Sequence, residues 1–122
     1  MSGLRDIIAG YYPAIDRSEV EQILKLFADD AIYQRADAEY RDLPALRKFF
    51  SEDRQIRGRH VVDGLWVDEA SRTVFVTGRF EGQGAAGDAR AVGFADIWHF
   101  GAAGLVSKRQ TFLALGHAYV ER

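Results

Sequence analysis

Leu26-Phe27-Ala28-Asp29-Asp30-Ala31 is the stretch where the periodicity of this chain changes, and the fold reads outward from it. On its N-terminal side apolar residues recur at helical spacing. Leu4, Ile7, Ile8, Tyr11 and Ile15 mark one amphipathic helix, and Val20, Ile23, Leu24 and Phe27 mark a second that should end near Ala28. Pro13 lacks the N–H that would reach Ala9 and biases Tyr12 away from helical angles, so a kink or an early stop is expected near Tyr11. Ser18 and Glu21 form a capping-box pair that would open the second helix. On the C-terminal side, Ala31 to Arg35 alternates as a short strand. Asp42 then stands where it would cap a third helix, with Leu43, Leu46, Phe49 and Phe50 as its apolar face.

Beyond that helix the period becomes two. Arg59 to Val67, Thr73 to Glu81, Arg90 to Phe100 and Leu105 to Leu115 are four strand candidates rich in β-branched and aromatic residues. Turns separate them at Asp68 to Ser71, Gly82 to Gly87 and Gly101 to Gly104. Helices first and meander strands after predict an α+β domain in which a curved, mostly antiparallel sheet wraps the helices. Gly82-Gln83-Gly84 lies between strands with no helix N-terminus behind it, so it reads as a hairpin tip and not as a phosphate cradle.

A length of 122 residues supports one domain with one core, which excludes a separate cofactor-binding half. The composition, 48% hydrophobic and 28% charged, is globular. Sixteen basic and eighteen acidic residues give a net charge of -2, so no nucleic-acid footprint stands out. Without cysteine there is no disulfide framework and no thiolate chemistry or metal site, and the 3 histidines are widely separated. No apolar run approaches a membrane span or the core of a secretory signal. A cytoplasmic protein without metal or organic cofactor is expected, with no nucleic acid and no membrane as partner.

The run from Leu26 to Ala31 resembles the hallmark turn of the nuclear transport factor 2-like superfamily. The Asp42 to Phe50 helix and the hairpin Ile97 to Arg109 extend the likeness over roughly Leu4 to Gly116. The resemblance implies a single domain over residues 1–122 with the cystatin-like cone of three N-terminal helices in a bent sheet around a cavity. It also implies a function shared by ketosteroid isomerase-like and SnoaL-like, polyketide cyclase-like proteins: isomerase, cyclase or dehydratase chemistry by proton transfer. Such scaffolds also host non-catalytic domains, so a small-molecule-binding or dimerisation module is the alternative.

Within that superfamily the chain is similar to ketosteroid isomerase. Tyr11 falls where that enzyme keeps its oxyanion-hole tyrosine, and Asp96 where it keeps a protonated aspartic acid. Independently of the likeness, Asp96 alternates with Phe94, Trp98 and Phe100, so it should face inward with them. A carboxyl among rings loses hydration, which disfavours its charged form and leaves a proton to donate. The usual base aspartate is replaced by Arg35, and a guanidinium cannot abstract a proton. Arg35 is read in three ways: paired with Asp96, clamping a ligand oxygen, or solvated at the cavity mouth. His60, whose side chain has an ordinary pKa of about 6.5, is the candidate base, with Asp37, Glu39 and Asp63 as further carboxylates.

The expected cavity lining is Tyr11, Tyr33, Arg35, Phe50, Trp66, Phe80, Phe94, Asp96, Trp98, Gln110 and Phe112, which suits an apolar or aromatic ligand bearing a carbonyl or hydroxyl. His117, near the C-terminus, is expected to be exposed. Ile97, His99, Arg109, Thr111 and Leu113 are expected on the outer sheet face, as a homodimer interface. Arg79-Phe80-Glu81 resembles the strand motif of limonene-type epoxide hydrolases. Its second acid falls on Gln110, however, which leaves epoxide hydrolysis a minor alternative.

Overall fold

The computed structural model describes residues 3–35, 38–53, 57–83, 87 and 89–114. Helix α1, Leu4–Asp16, runs through Pro13 without the expected early stop. A helical proline costs about 3 kcal/mol, but burying one large apolar side chain returns about 1.5–3 kcal/mol. Ile8, Tyr11, Tyr12 and Ile15 are all buried along this helix, and Ile15 lies beyond the proline. The helix is closed beyond its cap Arg17 by Ser18, which adopts a left-handed conformation with φ 56°. Ser18 N–H donates to Ile15 O and Glu19 N–H to Ala14 O, each at 3.0 Å. This pattern is a Schellman closure. Ser18 therefore terminates α1 instead of capping α2, whose N-cap is Glu19.

Helix α2, Val20–Leu24, is short, and strand β1, Phe27–Arg35, begins within the stretch expected to close the helix. The main chain there is taken up by the sheet: Val106 N–H donates to Leu26 O at 2.8 Å, and Phe27 pairs with Val106. Strand β2, Ala38–Arg41, returns antiparallel to β1. Asp42 caps α3, Leu43–Lys48, by accepting from Ala45 N–H at 3.0 Å. A π-helical turn, Phe49–Asp53, follows, and both phenylalanines are buried.

The long strands are β3, Arg57–Asp68, β4, Thr73–Gln83, β5, Ala89–Phe100, and β6, Val106–Ala114. With β1 and β2 they form one curved six-stranded sheet in the order β2-β1-β6-β5-β4-β3, antiparallel except where β1 runs parallel to β6. This is the expected α+β cone, with helices packed against the concave face. Gly78 keeps that face open: a Cβ there would stand 2.3 Å from the Val61 carbonyl oxygen and 3.0 Å from the Phe94 ring. Among the described residues no helix is long and apolar enough to cross a membrane. The tip of the β4–β5 hairpin, Asp37, Leu115 and His117 lie outside the described residues.

Two one-residue register shifts decide which side chains reach the interior. One lies in the β3–β4 pair between Val62 and Gly64, the other in the β5–β6 pair between His99 and Phe100. A bulge of this kind inverts the facing of every later residue in the strand. His60 pairs with Phe80 on the inner face, whereas Trp66, beyond the shift, pairs with Phe75 on the outer one. Val106 is buried, yet Lys108, Gln110 and Phe112 do not follow it inward; Arg109, Thr111 and Leu113 do.

Candidate functional site

A cavity of about 410 Å³ opens between the helices and the concave sheet. Tyr11 and Ile15 reach it from α1, Phe49 and Phe50 from the π-helical turn, Tyr33 and Arg35 from β1, and Tyr40 from β2. His60, Phe80, Phe94, Asp96, Arg109 and Thr111 come from the four long strands, with Val92 and Leu113 completing the wall. Tyr11, Tyr33, Asp96 and Arg109 are buried and form the floor. Arg35, Tyr40, His60, Val92 and Leu113 are partly exposed and form the rim. The space is large enough for a small ring compound, and its walls are mostly aromatic.

The floor is organised by an ion pair. Asp96, 1% exposed, accepts from Arg109 Nη2 at 2.9 Å and from Tyr12 Oη at 2.6 Å on one oxygen, and from Thr111 Oγ1 on the other. Tyr33 Oη stands 3.0 Å from Thr111 Oγ1 and extends the chain of hydrogen bonds. The carboxyl expected to donate to a ligand is therefore an acceptor, and its partner is Arg109, not Arg35. Arg109 also lies against three rings, 4.6 Å from the centroids of Tyr11 and Tyr33 and 4.4 Å from that of Trp98. Burial by itself would favour loss of its proton, but the adjacent Asp96 outweighs this and holds the guanidinium well above its ordinary pKa. Arg109 Nε is buried without a hydrogen-bond partner among the described residues.

Tyr11 Oη accepts from Arg109 Nη1 at 2.5 Å, its only hydrogen bond among the described residues. Its own proton is thus uncommitted in a group that lines the cavity. Burial raises the pKa of this phenol well above its usual value, against the pull of Arg109, and so keeps the proton in place. Tyr12 shows the same direction, from burial first and then from the charge of Asp96.

At the rim His60 is gripped twice by Asp16, the last residue of α1. Its main-chain N–H donates to Asp16 Oδ2 at 2.9 Å, and its Nδ1 stands 2.6 Å from Asp16 Oδ1. In the tautomer that carries its proton on Nδ1, towards the carboxylate, the lone pair lies on Nε2. The ring packs edge-on to Phe80 and Phe94, at centroid distances of 4.9 and 5.4 Å.

Of the residues expected to line the cavity, Tyr11, Tyr33, Arg35, Phe50, Phe80, Phe94 and Asp96 are brought together there, and the candidate base His60 joins them. Four are not. Trp98 faces inward but lies beneath the floor, fully buried, with its Nε1 donating to Tyr12 Oη at 3.1 Å. Trp66 and Phe112 are 56% and 53% exposed on the outer face, carried there by the bulges. Gln110 joins an outer row, within 3.2 Å of Gln34 and 3.3 Å of His99. Conversely Arg109, Thr111 and Leu113, expected outside, line the cavity. Asp63 accepts from Thr77 Oγ1, and Glu39 binds Gln34 and Arg41, so neither faces the cavity. Arg79 pairs with Glu81 away from it. Asp16 and Arg109 are the functional candidates that sequence reasoning missed. The alternation of Arg109 with Thr111, on the parity opposite Gln110, was the available signal.

Among the described residues no group of His, Asp or Glu is arranged to hold a metal ion. A small ring compound with an oxygen acceptor matches what the cavity offers: one phenolic proton backed by a guanidinium, one oriented imidazole and aromatic walls.

The fold is shared with solved structures at low identity. A polyketide cyclase-like protein of Pseudomonas putida superposes with a TM-score of 0.84 at 13% identity, covering 94% of each chain. A protein of unknown function from Burkholderia pseudomallei, of the nuclear transport factor 2-like class, gives 0.82 at 16%, covering 93% of this chain and 92% of its own. SalBIII, an epoxide hydrolase/cyclase-like enzyme with a role in pyran ring formation in the polyether salinomycin, gives 0.79 at 14%, covering 92% and 91%. No curated protein matches this chain in sequence. Residues 8–109 match the SnoaL-like domain, most of the length over which the cone is built, and the chain belongs to that family.

Proposed function

We propose that this chain is a small-molecule enzyme of the ketosteroid isomerase-like and SnoaL-like type, an isomerase, cyclase or dehydratase, that moves a proton on an apolar carbonyl or hydroxyl compound. The observation that carries the reading is Tyr11, whose oxygen receives Arg109 while its own proton is uncommitted at the cavity floor. A ligand carbonyl accepting that proton would gain stabilisation as negative charge develops on its oxygen, because the donor is already fixed and has a cation behind it. His60 Nε2 takes the proton from the adjacent carbon, and Asp16 stabilises the imidazolium that forms. Asp96 acts through Arg109, as a positioning residue. The scheme uses no metal or organic cofactor.

The test is hydrogen exchange. Cyclic ketones incubated in deuterated water are followed by mass spectrometry with the native protein, His60→Gln and Tyr11→Phe. Exchange above the solvent rate in the native protein, reduced at least about a hundredfold in His60→Gln, supports the scheme. Equal rates in all three remove it. They would favour a second reading, a binding pocket without chemistry, which the static Asp96–Arg109 pair suits.

For the outer sheet face we propose a second copy of the chain as partner. Trp66, Phe75 and Phe112 are exposed there beside Arg79, Glu81 and Lys108, so the patch carries both signs of charge, as a two-fold self-complementary contact requires. The cysteine-free composition suits a cytoplasmic setting.

A further inference from the structure

We propose that the cavity selects a monoanionic ligand, a ring compound bearing one carboxylate, and that Arg35 receives that carboxylate. The inference rests on the small-molecule reading above and specifies its substrate class.

The charges of the cavity carry it. Asp96 is matched by Arg109 at the floor, and Asp16, which engages Nδ1 of the uncharged His60, is not among the lining residues. Arg35 remains. Its guanidinium lies 5.1 Å from the centroid of the Phe49 ring, and no hydrogen bond or ion pair joins it to any described residue. The carboxylate in the neighbouring β1–β2 ladder, Glu39, pairs with Gln34 on the opposite face and holds Arg41 at 2.6 Å. Among the described lining residues one positive charge is therefore left uncompensated. A planar guanidinium offers paired donors that match a carboxylate, and stacking on a ring orients the fork. One surplus charge suits a monoanion. A doubly charged phosphate ester would leave part of its charge unmatched while losing its water.

The placement also gives a length. Arg35 is two residues along β1 from Tyr33 and pairs with Thr111, so it lies about 7 Å further along the sheet than the level of Tyr33 and Arg109. A ligand that reaches both Tyr11 and Arg35 therefore runs from the buried floor of the cavity to its rim. Phe49, Phe50 and Tyr40 supply aromatic surface in the same cavity, Tyr40 at the level of Tyr33 and Phe49 beneath the Arg35 guanidinium.

The experiment is calorimetric titration of the full chain at neutral pH with naphthoate, its neutral amide naphthamide, and naphthyl phosphate. The native protein should bind naphthoate about tenfold or more tightly than naphthamide, the gain expected of a hydrogen bond to a charged partner in a half-buried site. Arg35→Gln should erase that preference with naphthamide affinity preserved. Arg35→Lys, which keeps the charge, should retain part of it. Equal affinity for the two probes, no binding of naphthoate, or tighter binding of the phosphate overturns the inference. So does a preference that survives in Arg35→Gln, or one that Arg35→Lys loses as completely. Failure of the enzyme reading is separately visible. Naphthoate selectivity without ketone exchange would remove the chemistry and leave the anion subsite standing.

Discussion

Asp96→Asn should destabilise the protein by about 3–5 kcal/mol, the cost of leaving a buried cation without its counter-charge. Both partners are almost fully buried, so little solvent is available to screen Arg109 once the carboxylate is gone. The amide also fits poorly. One Asp96 oxygen accepts from Tyr12 and Arg109, so an amide NH2 placed there meets two donors; placed at the other oxygen, it requires the Thr111 hydroxyl to turn its proton towards Tyr33. Urea unfolding, followed by circular dichroism and by the fluorescence of buried Trp98, measures the loss. With a slope of about 2 kcal/mol per molar, a loss of 4 kcal/mol lowers the midpoint by about 2 M. A domain of this size has about 5–15 kcal/mol to begin with, so the variant should still fold. Adding Arg109→Met removes the orphaned charge and leaves a side chain that fills the space among the three rings. The double variant should therefore recover at least about 2 kcal/mol relative to Asp96→Asn. A single-variant loss under about 1 kcal/mol, or a double variant as unstable as the sum of the singles, would refute an ion pair as the organiser of the floor.

Alkaline pH should act on the same floor. Burial raises the pKa of Tyr11 and Tyr12 in the folded chain, so the stability they contribute is complete below the unfolded value near 10 and is lost as pH rises from there towards the folded values. The two together predict a fall of about 2.7 kcal/mol per pH unit above pH 10, measured by urea midpoints. A slope no steeper than that of the Tyr11→Phe, Tyr12→Phe double variant would contradict it. On the outer face, Trp66→Lys with Phe112→Lys should convert a dimeric mass in solution to a monomeric one, with folding unchanged by circular dichroism. A native protein that is already monomeric refutes that interface.

Much of the fold was legible because it depends on local periodicity. The helical spacing of Leu4 to Ile15 and the cap at Asp42 are properties of neighbouring residues. The alternation of Phe94, Asp96, Trp98 and Phe100 is local too, and it correctly turned Asp96 inward. Three helical boundaries were misplaced, the end of α2 because β1 takes up the main chain from Phe27. The face of α1 kept the helix intact past Pro13, and Ser18 closed that helix instead of starting the next.

The residue pattern alone determined an α+β domain with an inward acid on one strand, because alternation within one strand is set by the pleat and needs no partner; the cone was what the family resemblance implied. Which side chains meet that acid was decided only in three dimensions. A bulge is a mismatch between two strands and has no period of its own, so the shifts near Asp63 and Phe100 could exchange Trp66, Gln110 and Phe112 for Arg109 and Thr111 without altering the residue pattern. The pairing of Asp16 with His60 likewise joins residues 44 positions apart. Such contacts arise from the curvature of the sheet around α1, which is why the charges of the cavity could be assigned only after folding.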